Sequence, residues 1–301
     1  MKNVRLGIIA ALVAAALYAV NAPFSKLLLT YMPPTLMAGF LYLGAGLGMC
    51  FIACIRAIKK TTKKEERLTK KELPFTLAMI VLDVAAPVFL LIGLTFTTAS
   101  SAALLNNFEI VATAIIALAI FKEKISARLW MGILCIMIAC FVLSMENFSS
   151  FKFSYGALFV LLAAICWGLE NNCTKKISSK DPLQIVLLKG IFSGAGALLI
   201  GFCTGERVGE LWSIFAVLGV GLIAYGLSIF FYVHAQRLLG AARTSAYYAI
   251  APFIGTFLSL LVFQEVPPAT YWIALIIMLI GAWFCAYDEP IMKTKKNKKQ
   301  D

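Results

Sequence analysis

Acids and amides set inside apolar stretches are the residues of this sequence with the makings of chemistry. Asp83 stands in LPFTLAMIVLDVAAPVFLLIGL, and Glu109 follows the amide pair Asn106 and Asn107 in SSAALLNNFEIVATAIIALAIF. An ionisable group in such a segment costs about 2.5–3.5 kcal/mol on insertion scales, which makes a functional role the default reading. Two neighbouring carboxylates resist simultaneous ionisation, and that suits either a proton-coupling site or the capture of a substrate amine. The alternative is a protonated acid bonded to a neighbouring helix. A third acid, Glu170, lies in WGLENNCTKK with Trp167, Asn171 and Asn172 on little more than a turn, and YAVNAPFSK carries Tyr18, Asn21 and Lys26 in the same pattern. An aromatic three residues before a polar group shares its helix face. Both faces read as cavity wall or as polar packing between helices. Lys189, in a segment otherwise apolar from 185 to 200, is placed to pair with Glu170 or to meet an anionic group of a substrate. Tyr247 and Tyr248 stand one turn before Pro252 and offer an aromatic surface. His234, the only histidine, is a coupling candidate beside its commoner structural role. Lys26 and Lys175 read as snorkelling side chains, and Glu123 and Glu265 as helix-end groups.

The elements that hold these residues follow from composition. With 61% hydrophobic and 14% charged residues and a mean hydropathy of +0.88, the 301-residue chain has too little polar surface for a water-soluble globule. A bilayer crossing needs about 20 mostly apolar residues. Ten segments qualify, at 6–29, 34–57, 74–97, 100–121, 129–144, 154–174, 182–203, 212–235, 244–263 and 269–287. The fold expected is an all-α polytopic membrane protein. The formal charge of +12 does not point to nucleic acid, because the basic residues sit in the gaps between apolar segments. Apart from Lys26, Lys152, Lys189 and Arg207, every Lys and Arg falls at the N-terminus, in an even-numbered connection or in the C-terminal tail. The positive-inside rule then places both termini in the cytoplasm. The eight cysteines form no CxxC pair and read as small core residues, with no metal site or cofactor expected.

The chain also repeats itself. An offset of 142 residues lays Ala99 on Ala241, Leu118 on Leu260, Phe121 on Phe263, Glu123 on Glu265 and Trp130 on Trp272. At the start of the chain an offset of 149 lays Gly7 on Gly156, Lys26 on Lys175 and Pro33 on Pro182, so the first thirty residues match an internal helix and are not read as a cleaved leader. The division expected is 1–145 for the first five-helix repeat, 146–153 for a linker, 154–289 for the second repeat and 290–301 for a basic tail. Five crossings per repeat force the second copy upside down relative to the first. Inverted repeats are the construction of alternating-access transporters, with the substrate held near the midplane between the copies. Asp83 and Glu109 each lie about nine residues into their segments from opposite faces, roughly 13 Å deep, and are placed to share one cavity. Glycines at 44, 46 and 48 and at 194 and 196 lie mid-segment, which fits close helix packing better than a phosphate loop.

Three passages resemble the paired EamA domains of the drug/metabolite transporter superfamily: LLGAARTSAYYAIAPFIGTFLSLLVFQE at 238–265, TTASSAALLNNFEIVATAIIALAIFKEKI at 97–125, and the aromatic residues upstream of Lys26 and Lys175. The first half departs from the family pattern, with Ile110 where the helix proline would stand and Phe40 at the place matching Lys189. The resemblance implies a ten-helix carrier whose cavity is lined by the first, third, fourth, sixth, eighth and ninth helices, the others being peripheral. It also implies transport of amino acids, other metabolites or drugs, often outward. The expectation is a secondary transporter of the cytoplasmic membrane that exports an amino acid or similar amphipathic metabolite. Asp83 and Glu109 would bind an amine or carry a coupling proton, Glu170 and Asn171 would add polar contacts, and Trp167, Tyr18, Tyr247 and Tyr248 would pack on apolar parts. The chain has no ATP-binding motif, so a gradient supplies the drive. A proton-coupled multidrug exporter is the alternative. An intramembrane enzyme is a weaker one, since neither HExxH nor GxSxG occurs.

Overall fold

Thr98 opens a helix by accepting a hydrogen bond from Ser101 N (3.1 Å), Ser154 does so from Ala157 N, and Asp181 caps another from Leu183 N (2.9 Å) with Pro182 at its first position. Such side chains satisfy backbone donors that a helix start leaves free. In a computed structural model describing residues 2–58, 66–120, 122, 126–147, 152–248, 250–264, 267 and 269–286, the described chain is almost entirely helical. Glu123, Glu265, the tail 290–301 and the centre of the basic run, 59–65, lie outside the described residues. Ten helical segments follow in order. They are α1 (Lys2–Tyr18 and Asn21–Leu28), α2 (Pro34–Ile58), α3 (Leu73–Phe96), α4 (Ala99–Leu105 and Phe108–Ala119), α5 (Ala127–Ser144), α6 (Tyr155–Ile177), α7 (Pro182–Leu188, Lys189–Ser193, Gly194–Cys203), α8 (Leu211–Val220, Gly221–Leu227, Ser228–Leu239), α9 (Ala241–Tyr248 and Ala251–Phe263) and α10 (Ala269–Ala286). Two short antiparallel strands, Met145–Asn147 and Lys152–Phe153, join the halves.

Seven of these segments are long and apolar enough to cross a bilayer unaided; the apolar stretches Trp130–Ser144, Ala251–Phe263 and Ala269–Phe284 are shorter. Large apolar side chains such as Phe51, Val81, Leu211, Phe215 and Phe257 point outward, as lipid as solvent requires, while much of the buried set is small or polar. The chain is a multi-pass membrane protein.

The packing carries the signature of the repeat. α3 runs along α6 as α1 runs along α8, and α2 meets α7, α4 meets α9 and α5 meets α10. Exchanging the first five helices for the last five returns this pattern to itself. The backbone agrees: among the described residues only Lys122 (φ 55°) and Gln264 (φ 53°) are non-glycine positions with positive φ, and the offset of 142 lays one on the other. The middle portions of α7 (Lys189–Ser193) and α8 (Gly221–Leu227) are π-helical. Both press on the glycines of α2. A Cβ on Gly190 would lie 2.3 Å from Gly46 N, and one on Gly48 would lie 2.1 Å from Leu222 Cδ1. The mid-helix glycines are packing surfaces.

At one end of the bundle, Lys180 in the α6–α7 turn lies 3.0 Å from Glu66 and 3.9 Å from Glu72, and the Glu66 carboxylate raises the lysine's pKa above its ordinary value. Arg237 donates to Ser178 O (3.0 Å) and to Lys180 O. At the other end, Glu206 accepts from Leu36 N (2.8 Å) at the start of α2, and Lys26 donates to Leu94 O and to Thr97 O (2.8 Å) at the end of α3. Lys26 therefore caps the C-terminal end of α3, a placement that favours a cation.

Candidate functional site

α1 breaks at 19–20, α4 at 106–107 and α9 at 250, and residues beside all three breaks line one pocket. Beside these breaks lies a cavity with about 440 Å³ of empty space, the part open to the outside included. The carboxylates and the lysine on its wall were all singled out from sequence: Asp83 from α3, Glu109 from α4, Glu170 from α6 and Lys189 from α7. None of the four side chains reaches bulk water, their exposures being 1%, 9%, 3% and 3%.

Lys189 sits between two acids. Its Nζ lies 2.8 Å from Glu170 Oε1 and 3.1 Å from Asp83 Oδ2. Tyr42 donates to Asp83 Oδ1 at 2.8 Å, and Thr174 donates to Glu170 Oε1. The π-helical turn at Lys189 inserts an extra residue into α7, and such inserts re-aim side chains at functional sites. Glu109 stands apart from this triad. Its Oε1 accepts from Asn171 Nδ2 at 2.5 Å, and the same amide lies 3.3 Å from Thr113 Oγ1. Asp83 and Glu109 thus share one cavity without sharing a partner.

The remaining wall is aromatic. Tyr18 meets Trp167 edge-on at 6.3 Å, Tyr225 at 5.9 Å and Tyr248 at 5.6 Å, and Tyr232 meets Tyr248 at 4.9 Å. Ser228 Oγ gives its proton to Ala14 O (2.8 Å), so at 3.4 Å the Tyr248 hydroxyl is the donor to Ser228. Tyr232 and Ser245 hydroxyls lie 2.7 Å apart.

With this geometry in view, the comparisons with known proteins acquire meaning. The EamA-like transporter family matches residues 5–145 and 154–287, nearly the whole chain in two copies. The chain belongs to the EamA-like transporter family. An "Uncharacterized transporter" of Methanothermobacter thermautotrophicus is 26% identical over 293 residues, covering 92% of this chain and 85% of the relative. The "Uncharacterized transporter YvbV" of Bacillus subtilis is 26% identical over 279 residues, covering 89% and 87%. A crystal structure with 14% identity superposes at a TM-score of 0.66 over 94% of this chain and 95% of its own, which shows the fold alone. The family and these relatives are those of transporters, not enzymes.

Not every candidate residue of this EamA protein reaches the charged cavity. Asn21 hands its amide to Tyr225 OH (3.2 Å) and takes Ser25 Oγ (2.9 Å), and with Asn106 it lines an adjoining pocket of about 300 Å³. Asn106 Oδ1 is buried with no hydrogen-bond partner among the described residues. Asn107 donates to Met278 Sδ at 2.9 Å and, with Asn106, Glu109 and Tyr248, lines a third pocket. Tyr247 packs on the small cluster of Ala10, Ala11 and Ala235 instead, since neighbours on a helix point about 100° apart. His234 lies on α8 two residues beyond Tyr232 and lines none of these three pockets. Two of the helices that the family resemblance marks as peripheral do contribute: α2 supplies Tyr42 and α7 supplies Lys189. Tyr42, Tyr225, Ile229 and Tyr232 escaped the sequence reading. The 142 offset holds a signal for one of them, since it lays Asp83 on Tyr225.

Proposed function

We propose that this protein is a secondary transporter of the cytoplasmic membrane that moves a small amphipathic molecule bearing an amino group, an amino acid or similar metabolite, outward by alternating access. The observation that carries this reading is the cavity lined from both repeats, with three acids and one lysine on an otherwise largely aromatic wall. A cavity largely apolar with a few convergent charged groups suits a ligand with a charged head and an apolar body. Breaks in α1, α4 and α9 beside the cavity fit the discontinuous helices at transporter sites. The acids are the means of coupling to a proton gradient. Both termini face the cytoplasm, and residues 1–145 and 154–289 are the units that rock about the cavity. The ring of five tyrosines and one tryptophan also favours a second reading, export of cationic drugs, because ring faces attract cations.

Sealed proteoliposomes loaded with candidate solutes test the reading by counterflow. Exchange of labelled solute that is abolished when the vesicles are made leaky is expected. Chemical conversion of the solute without net movement would overturn it.

A further inference from the structure

The charges lining the cavity do not balance. Among the described residues three carboxylates, Asp83, Glu109 and Glu170, face a single ammonium, Lys189, and that ammonium is already held by two of the three. Glu109 stands outside that ion cluster: among the described residues its carboxylate accepts from the neutral Asn171 amide at 2.5 Å. Side chains buried at membrane depth tolerate little uncompensated charge. The excess acid must be met by protons when the cavity is empty, or by positive charge on whatever fills it.

We propose that this cavity selects organic cations, molecules carrying an ammonium group and no carboxylate, over zwitterions such as amino acids. The inference rests on the reading of this cavity as the transport site and, within it, puts amines in place of the amino acids named there. A monocation entering beside Glu109 replaces a proton and leaves the compartment's charge unchanged. A zwitterion brings its own negative charge, and no lining cation is left to receive it: its carboxylate would have to take Lys189 from Asp83 or Glu170 across contacts of 3.1 and 2.8 Å. The wall around Glu109 adds to the preference. Tyr18, Trp167, Tyr232 and Tyr248 form a contiguous ring cluster whose faces carry negative quadrupole, and such faces stabilise a desolvated ammonium while offering nothing to a carboxylate. Exchange of cation for proton at Glu109 is also a balanced step. The substrate N–H donates to the carboxylate oxygen, the acid's O–H bond breaks, and its proton leaves to water.

The test is calorimetric binding to the purified full-length protein, using three pairs of probes that differ only by a carboxylate: phenylalanine and phenethylamine, tryptophan and tryptamine, leucine and isopentylamine. At least one amine is expected to bind ten-fold or more tightly than its amino acid. Its binding should release a proton, seen as a dependence of the heat on the buffer's ionisation enthalpy, and should strengthen as pH rises until the amine itself loses charge. Glu109→Gln should lower amine affinity at least ten-fold and remove the released proton; if that variant does not fold, proton release by the wild type still decides. Amino acids that bind as tightly as their amines, or amine binding that releases no proton, would overturn the proposal, as would binding of none of the six to a protein that melts cooperatively. Counterflow of a bound amine separates the two readings: binding without flux sinks transport and leaves the charge selection standing, whereas flux of the amino acids in preference sinks the selection and leaves transport.

Discussion

Lys189 between two carboxylates makes a quantitative prediction about Asp83 and Glu170. Changing either to its amide removes one ion contact yet leaves the lysine a counter-ion, at 2.8 Å in Asp83→Asn and at 3.1 Å in Glu170→Gln. The single change also removes excess negative charge from the triad, so each variant should lose only about 1 kcal/mol, the net worth of an ordinary hydrogen bond. The double variant strands a buried ammonium. Uncompensated buried charge costs about 3–5 kcal/mol, so the double change should exceed the sum of the singles by about 1–3 kcal/mol, well above the roughly 0.5 kcal/mol within which independent sites add. Unfolding free energies of the four proteins in mixed micelles give the cycle directly, with Glu109→Gln as a control that should add independently to both singles. Additivity of Asp83→Asn and Glu170→Gln would refute a shared lysine.

Two further outcomes follow from the backbone. Gly190→Ala would drive a methyl to within 2.4 Å of Gly46 Cα, where carbon atoms need about 3.5 Å or more, so α2 and α7 must part by about 1 Å and stability should fall by about 1–3 kcal/mol. Gly219→Ala, with open space around its Cβ, should be neutral or gain up to about 1 kcal/mol in a thermal melt. Lys122 and Gln264 occupy matching left-handed positions in the two repeats. Single cysteines placed there in a cysteine-depleted chain should label from opposite sides of sealed vesicles, and labelling from the same side would sink the inverted arrangement.

The acids of the site were legible because burying charge in lipid is expensive: Asp83, Glu109 and Glu170 each interrupt an apolar run, and each lines the cavity. Tyrosine carries no such signal. Tyr42 and Tyr225 are 1% exposed and read in sequence like any aromatic in an apolar helix. Tyr225 is further hidden by the π-helical turn of 221–227, which shifts its face away from that of an unbroken 3.6-residue period. Tyr247 and Tyr248 were read together, but neighbours on a helix point about 100° apart and only the second lines the cavity. Lys26 shows the opposite limit. Its distance along α1 suggested the membrane surface, and its partners, the carbonyls of Leu94 and Thr97, belong to another helix and are invisible to local pattern.

A symmetric scaffold here carries asymmetric chemistry, and mirrored substitutions expose the difference. The repeat offsets lay Tyr18 on Trp167, Asn21 on Glu170, Phe40 on Lys189 and Tyr225 on Asp83. Where one copy joins Glu170 to Asp83 through a lysine, its mirror joins Asn21 directly to Tyr225 by a neutral hydrogen bond of 3.2 Å, with Phe40 packed among apolar neighbours. Lys189→Met leaves two buried carboxylates without their cation and should cost about 3–5 kcal/mol at neutral pH. The sign of its pH dependence is fixed: protonation neutralises the stranded acids, so the penalty should shrink as pH falls and grow as it rises. Phe40→Met, the mirrored change, exchanges one apolar side chain for another and should cost less than about 1.5 kcal/mol with no pH dependence. Equal penalties, or a Lys189→Met penalty that ignores pH, would mean that the triad's charges are already neutral in the native protein, and the excess of acid that the cavity offers to a cation would not exist.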